Sequence, residues 1–216
     1  FDQGDLSGSL GIFSEHAAGR TIEEQDGVSY VATKAGAIGR TGRYFFRIAG
    51  DRDSVDITDK ALHLVAVFAQ LNRKSAAATT REAPVLAGFA LLSQRLGIAE
   101  ADIQFQENNV FQYDFAQRFW FGKAEIGGEA RLFVHIADST TDAEDLMAAL
   151  VVEHGYEYDR LESAGNYRLI RHRYLGSYFA VDQRGNYIYG IEKSPDTAAI
   201  SALLERIIGH LGDDES

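Results

Sequence analysis

The chain has 216 residues, of which 45% are hydrophobic, 25% charged and 11% aromatic, the balance of a globular protein and not of a disordered or fibrous one. Its formal charge of −11 argues against sequence-independent nucleic-acid binding, which needs a cationic face to displace phosphate counterions, and the absence of cysteine removes disulfides and thiolate metal sites. No apolar run reaches the roughly 18 residues of a membrane span, and a chain of this length buries about 70% of its unfolded surface without covalent staples.

The spacing of apolar residues predicts a first helix over Asp5 to His16, ending in Ser14, Glu15 and His16. Two strands follow, Val28 to Thr33 and Arg43 to Ala49, with Gly36, Gly39 and Gly42 read as turn residues. A helix from Thr58 to Leu71, capped by Asp56 or Thr58, turns Leu62, Val65, Phe68 and Leu71 inward. Asn72 to Ala83 is polar and alanine-rich and reads as a linker. Pro84 opens a further helix that closes at Gly97, with Val85, Phe89, Leu92 and Leu96 on one face.

Arg118 to Ile126 and Glu129 to Ala137 read as strands joined by a Gly127-Gly128 hairpin. Ser139 caps the next helix with Asp142 as its partner, its stripe is Ala143, Leu146, Met147, Leu150 and Val151, and Gly155 stops it. Strands at Asn166 to Arg173, Ser177 to Asp182 and Tyr187 to Glu192 come next, the last two joined at Arg184-Gly185. The final helix takes Ser194 as cap and Pro195 as first residue, and Ile200, Leu203, Leu204, Ile207, Ile208 and Leu211 form its stripe before an acidic tail. Hairpins with helices set between them specify an α+β fold with antiparallel sheet.

The halves of the chain repeat each other. Thr41 to Ile48 and the helix after it parallel Arg184 to Ile191 and the last helix, while Ser14-Glu15-His16 parallels Val152-Glu153-His154. Each half reads helix, strand, strand, helix, with an extra hairpin strand in the second. The expectation is a single domain over 1–216, built as two related helix and antiparallel-sheet half-units, 1–71 and 98–212, joined by 72–97 and packed as one pseudo-symmetric domain. The counterpart of the strand Glu129 to Ala137 falls before Phe1. With Phe1 in place of a Met, this predicts a processed chain whose upstream residues complete the first sheet, or leave its edge unpaired.

Leu10-Gly11-Ile12-Phe13-Ser14, the strand Gly42 to Ile48, and the aromatic hairpin leading into Ala130 to Ala137 and the Ser139 helix resemble a family of uncharacterised bacterial proteins with predicted export. The resemblance covers most of the chain. It implies a bacterial, periplasmic or otherwise exported origin, assigns no chemistry and carries over no functional residues.

Among six histidines, His16 and His154 occupy equivalent positions, each after a glutamate, which raises a symmetric metal or acid-base site. A cation at a helix C-terminus, stabilised by the free carbonyls, accounts for them more simply. No ligand spacing of the His-Glu-x-x-His type occurs, and no metal or cofactor is expected. His172 is flanked by Arg171 and Arg173, which point to the opposite strand face and form an acid-paired surface. The serines lack a nucleophile elbow, Gly36, Gly39 and Gly42 make no phosphate loop, and Asp51-Arg52-Asp53 lacks the glutamate of a calcium loop.

The densest chemical feature is the run 105–121, with Phe105, Phe111, Tyr113, Phe115, Phe119, Trp120 and Phe121 interleaved with Gln112, Asp114, Gln117 and Arg118. Most of these rings fill a core, and the surplus faces a ligand or partner. Tyr113, Arg118 and Trp120 are therefore the candidate ligand-binding residues, and no catalytic residue is assigned. The reading is a non-enzymatic binding or interaction module for a small molecule or protein partner. The alternative is a hydrolase-like enzyme with a histidine and an acid in the groove between half-units.

Overall fold

The computed structural model describes residues 1–4, 6–72, 83–124, 129–161 and 167–211. Over these residues the chain forms five α-helices and two sheets whose paired strands run antiparallel, an α+β fold. It divides into two compact units, Phe1–Leu86 with Ala99–Phe105, and Ala87–Ile98 with Gln106–Ser216. The linker at 73–82, the Gly127-Gly128 hairpin and the acidic tail lie outside the described residues.

In the first unit, α1 (Leu6–Ala17) leads into strands β1 (Glu23–Gln25), β2 (Val28–Thr33), β3 (Gly36–Thr41) and β4 (Tyr44–Ala49), paired in that order, and then into α2 (Val55–Asn72). Strand alternation sends Phe45 to one face, where it packs with Val31, Ile38, Phe13 and Ala17, and Phe46 to the other, with Val28, Ala37, Ala61 and Val65. The helices thus cover opposite faces. Gly36 and Gly39 correct the sequence reading, because they belong to β3 and not to a turn. A Cβ on Gly39 would overlap the Phe46 ring and the Ser29 carbonyl, so glycine is what lets the neighbouring strands close here. Only Gly42, with φ of +51°, turns the chain.

Helix α2 starts earlier than the Thr58 cap expected, because the Ser54 carbonyl already accepts from Ile57 and Thr58 N–H at 3.1 and 3.0 Å. The Thr58 hydroxyl donates to the Thr33 carbonyl at 3.0 Å and ties the helix to the end of β2. On the outer edge of β4, Asp2 bridges Tyr44, the Phe1 nitrogen donates to the Phe45 carbonyl at 2.7 Å, and Phe45 N–H donates to the Phe1 carbonyl at 3.0 Å.

Next come α3 (Ala83–Ala90), a π-helical turn over Leu91–Arg95 and β5 (Ile103–Gln106). The second unit then carries β6 (Phe119–Lys123), β7 (Arg131–Ile136), α4 (Thr140–His154), β8 (Tyr158–Leu161), β9 (Arg168–His172), β10 (Tyr178–Arg184), β11 (Tyr187–Ser194) and α5 (Thr197–Leu211). The second sheet runs β5-β6-β7-β11-β10-β9-β8. Against its one face α4 buries Ala143 and Leu150 on Phe119, Phe121, Phe133, Phe179 and Ile188. Helix α5 lies along β10 and β11 and buries Ile200, Leu204, Ile207 and Leu211. Its cap is not Ser194, which stays in β11 opposite Tyr178; the Asp196 carboxylate accepts from Ala198 N–H at 3.0 Å.

Each unit therefore reads helix, four consecutive antiparallel strands, helix: α1-β1-β2-β3-β4-α2 and α4-β8-β9-β10-β11-α5. The sequence led to an expectation of two strands between the helices of the first unit and three between those of the second, and both counts fall short. The missed strands β1, β3 and β8 are short or rich in glycine and charge, and they hide their period. Tyr44 bridges Asp2, four positions before α1 begins at Leu6, and Tyr187 pairs with Ile136, four positions before α4 begins at Thr140.

Candidate functional site

The aromatic run builds a closed loop over 107–118 beside α4 in the second unit. Its ends meet through Arg118 N–H on the Glu107 carbonyl and Val110 N–H on the Ala116 carbonyl, both 2.9 Å. Four of its non-glycine residues hold positive φ, Asn109 at 53°, Phe111 at 55°, Gln112 at 69° and Arg118 at 61°. For a bulky side chain that region is disfavoured by roughly 1 kcal/mol or more. What holds the loop there is Phe111, whose ring lies edge-on to Phe119, Phe121, Phe133, Phe179 and His154 at centroid distances of 5.1 to 5.8 Å.

His154 is accordingly not the cation at a helix C-terminus expected from sequence. It is 3% exposed, stacked on Phe179 at 4.1 Å and flanked by Tyr113 and Tyr158. Its Nδ1 meets the Leu150 carbonyl at 2.8 Å, which fixes Nδ1 as the protonated nitrogen of the neutral ring. Burial lowers its pKa to about 4. His16 stacks on Phe45 at 5.4 Å, and among the described residues no group of three or more His, Asp or Glu is placed to hold a metal.

Of the three sequence candidates, the structure brings Tyr113 and Arg118 to the same loop and separates Trp120 from them. Trp120 is 2% exposed and packs on Phe89 at 5.3 Å and against Gly88, whereas its neighbours Phe119 and Phe121 enter the core under α4. Alternation along β6 is the cause. Tyr113 stacks flat on Phe115 at 5.3 Å, with 6° between the rings.

Beside that pair is an open pocket of about 390 Å³, lined by Phe115, Gln117, Arg118, His135, Asp138, Asp142, Asp145 and Leu146 with Ile136, Ala137 and Ala149. Each side chain has a local reason for its place. Ser139 accepts from Asp142 N–H at 3.1 Å and donates to its carboxylate at 2.6 Å, the side-chain cap that fixes the start of α4. Asp145 follows one turn later on the same side. On β7, His135 stacks on Phe119 at 4.9 Å, and its Nδ1 meets the Arg118 carbonyl at 3.2 Å. Burial lowers the His135 pKa, outweighing the backbone hydrogen bond that raises it, so the imidazole is neutral near pH 7.

The pocket thus sets three carboxylates and one guanidinium around an exposed aromatic face. Sequence reasoning missed the acids because first-turn carboxylates already have a sufficient role at a helix dipole. It missed His135 because only the fold of the loop puts Arg118 beside β7. The strand face around His172 is acid-paired as expected: Arg173 donates to Asp159 at 2.9 Å and to the Tyr156 carbonyl at 3.0 Å, and His172 stands 3.8 Å from Glu157. No family model, curated protein or solved structure matches the chain.

Proposed function

We propose that the second unit is a non-enzymatic binding module for a small amine-bearing molecule, seated between Phe115 and the carboxylates of α4. The observation that carries this reading is the pocket itself, where Asp138, Asp142 and Asp145 outnumber Arg118 beside an aromatic ring. A carboxylate pair and a ring face are complementary to an alkylammonium, and Arg118 matches an anionic group on the same ligand. The volume of about 390 Å³ lies at the lower end of small-molecule sites. Bacterial export, implied by the resemblance, completes the proposal, since a chain without cysteine folds independently of disulfide chemistry; fractionation of the native host tests it.

The runner-up is hydrolysis by His135 with a neighbouring acid, favoured by the neutral imidazole lining the same pocket as Asp138. Against it, His135 Nδ1 meets a backbone carbonyl, and among the described residues neither a nucleophile nor an orienting carboxylate is bonded to the ring. A thermal-shift panel of primary amines and the matched carboxylates discriminates the readings. Amines at about 100 times their Kd stabilise by about 2.7 kcal/mol, and carboxylates leave the midpoint unchanged. Ester or amide turnover abolished by His135→Gln would establish the enzyme instead.

A further inference from the structure

A second concavity, independent of the first, lies on the opposite flank of α4. It has a volume of about 960 Å³ and is walled by Met147, Val151 and Val152 of α4 and by Leu161, Leu169 and Ile170 of the strands. Val152 is 58% exposed, so the apolar strip reaches solvent and is not closed core. At the same groove stand two guanidinium groups, Arg160 on β8 and Arg168 on β9, against one carboxylate, Glu144. In a chain of net charge −11, this local excess of positive charge beside apolar surface selects an occupant with both characters.

We propose that this groove binds a single-chain alkyl carboxylate, its tail along Met147, Val151 and Val152 and its headgroup between Arg160 and Arg168. Guanidinium groups suit a planar carboxylate because they donate in a matching fork, and a long saturated chain fills the apolar wall without needing a hydrogen-bond partner. Among the described residues neither arginine takes part in an ion pair. The neighbouring pocket has the reverse charge balance, which keeps the two ligand classes apart.

Met147 is the only methionine in the sequence and lines the groove, so methyl-labelled methionine gives one NMR signal at the proposed site. Titration of the intact chain with dodecanoate below its micellar concentration is expected to shift that signal saturably. Dodecanol and dodecyltrimethylammonium are expected to bind at least tenfold more weakly. Arg160→Glu and Arg168→Glu are expected each to weaken dodecanoate at least fivefold without moving the melting midpoint; Arg160→Gln and Arg168→Gln are the milder pair should a reversal unfold the chain. Equal binding of all three amphiphiles, no saturable shift, or an affinity unaffected by both arginine substitutions would overturn the proposal. So would a response only to anionic vesicles and not to monomeric dodecanoate, because that outcome makes the patch a membrane contact. None of these results bears on the amine pocket, which Met147 does not line.

Discussion

His154 shows how one side chain couples the loop over 107–118 to the fold. Its imidazole is buried neutral, with a folded pKa of about 4 against an ordinary value of 6.5. A group whose folded pKa is depressed in this way binds its proton first in the unfolded chain, so acid favours unfolding. The stability it supports is complete above about pH 6.5 and drains as pH falls toward 4, amounting to about 3 kcal/mol in full. Denaturant titrations at pH 7.5 and 4.5 are expected to show this loss in the parent chain and a flatter dependence in His154→Phe, which keeps the ring stacking and removes the proton. Phe111 is the complementary test. Phe111→Ala empties the centre of five ring contacts and is expected to lower stability by about 3 kcal/mol, whereas Gln112→Gly relieves a positive φ and is expected to raise it by about 0.5 kcal/mol. A sequence shows that His154 ends a helix. It does not show that a loop forty residues earlier folds across it, which is why a dipole contact looked sufficient.

Helix α4 is the element on which both ligand proposals rest, since one flank lines the amine pocket and the other the apolar groove. Its start was legible: Ser139 caps the helix with Asp142, three residues on, as its partner, as the sequence led us to expect. Ser139→Ala is expected to cost about 1 kcal/mol and to weaken amine binding through misplacement of Asp142 and Asp145; unchanged stability by chemical denaturation would contradict that role. Strand β3 was not legible. Gly36, Gly39 and Gly42 present the same residue type, and only the approach of Phe46 and Ser29 distinguishes the strand positions from the turn. Gly39→Ala is expected to destabilise by about 2 kcal/mol or more because a backbone carbonyl, and not only a flexible side chain, must move. Strands β2, β7 and β11 were legible from their aromatic and β-branched residues and not from a period of two, because consecutive residues along them are buried.

For the molecule as a whole, the order of helix, four-stranded meander and helix occurs once in each unit. The functional features are nonetheless unequal, since the strained loop, the buried His154 and both concavities belong to the second unit. The loop and the amine pocket could not be read from the repeated segments, because both are built on 107–118, which the first half does not repeat. The charge of −11 remains the dominant long-range property, steering cations toward the protein, and amine association is expected to weaken as salt shortens the screening length.

The amine pocket is tested most directly by amide chemical shifts of the labelled chain titrated with phenethylammonium, an aromatic primary amine. Saturable shifts are expected at Arg118, His135, Asp138 and Asp145, with Asp138→Asn combined with Asp145→Asn weakening the affinity about tenfold at low salt. Shifts that do not saturate, that scatter away from these residues, or that survive the double substitution unchanged would contradict a binding site there.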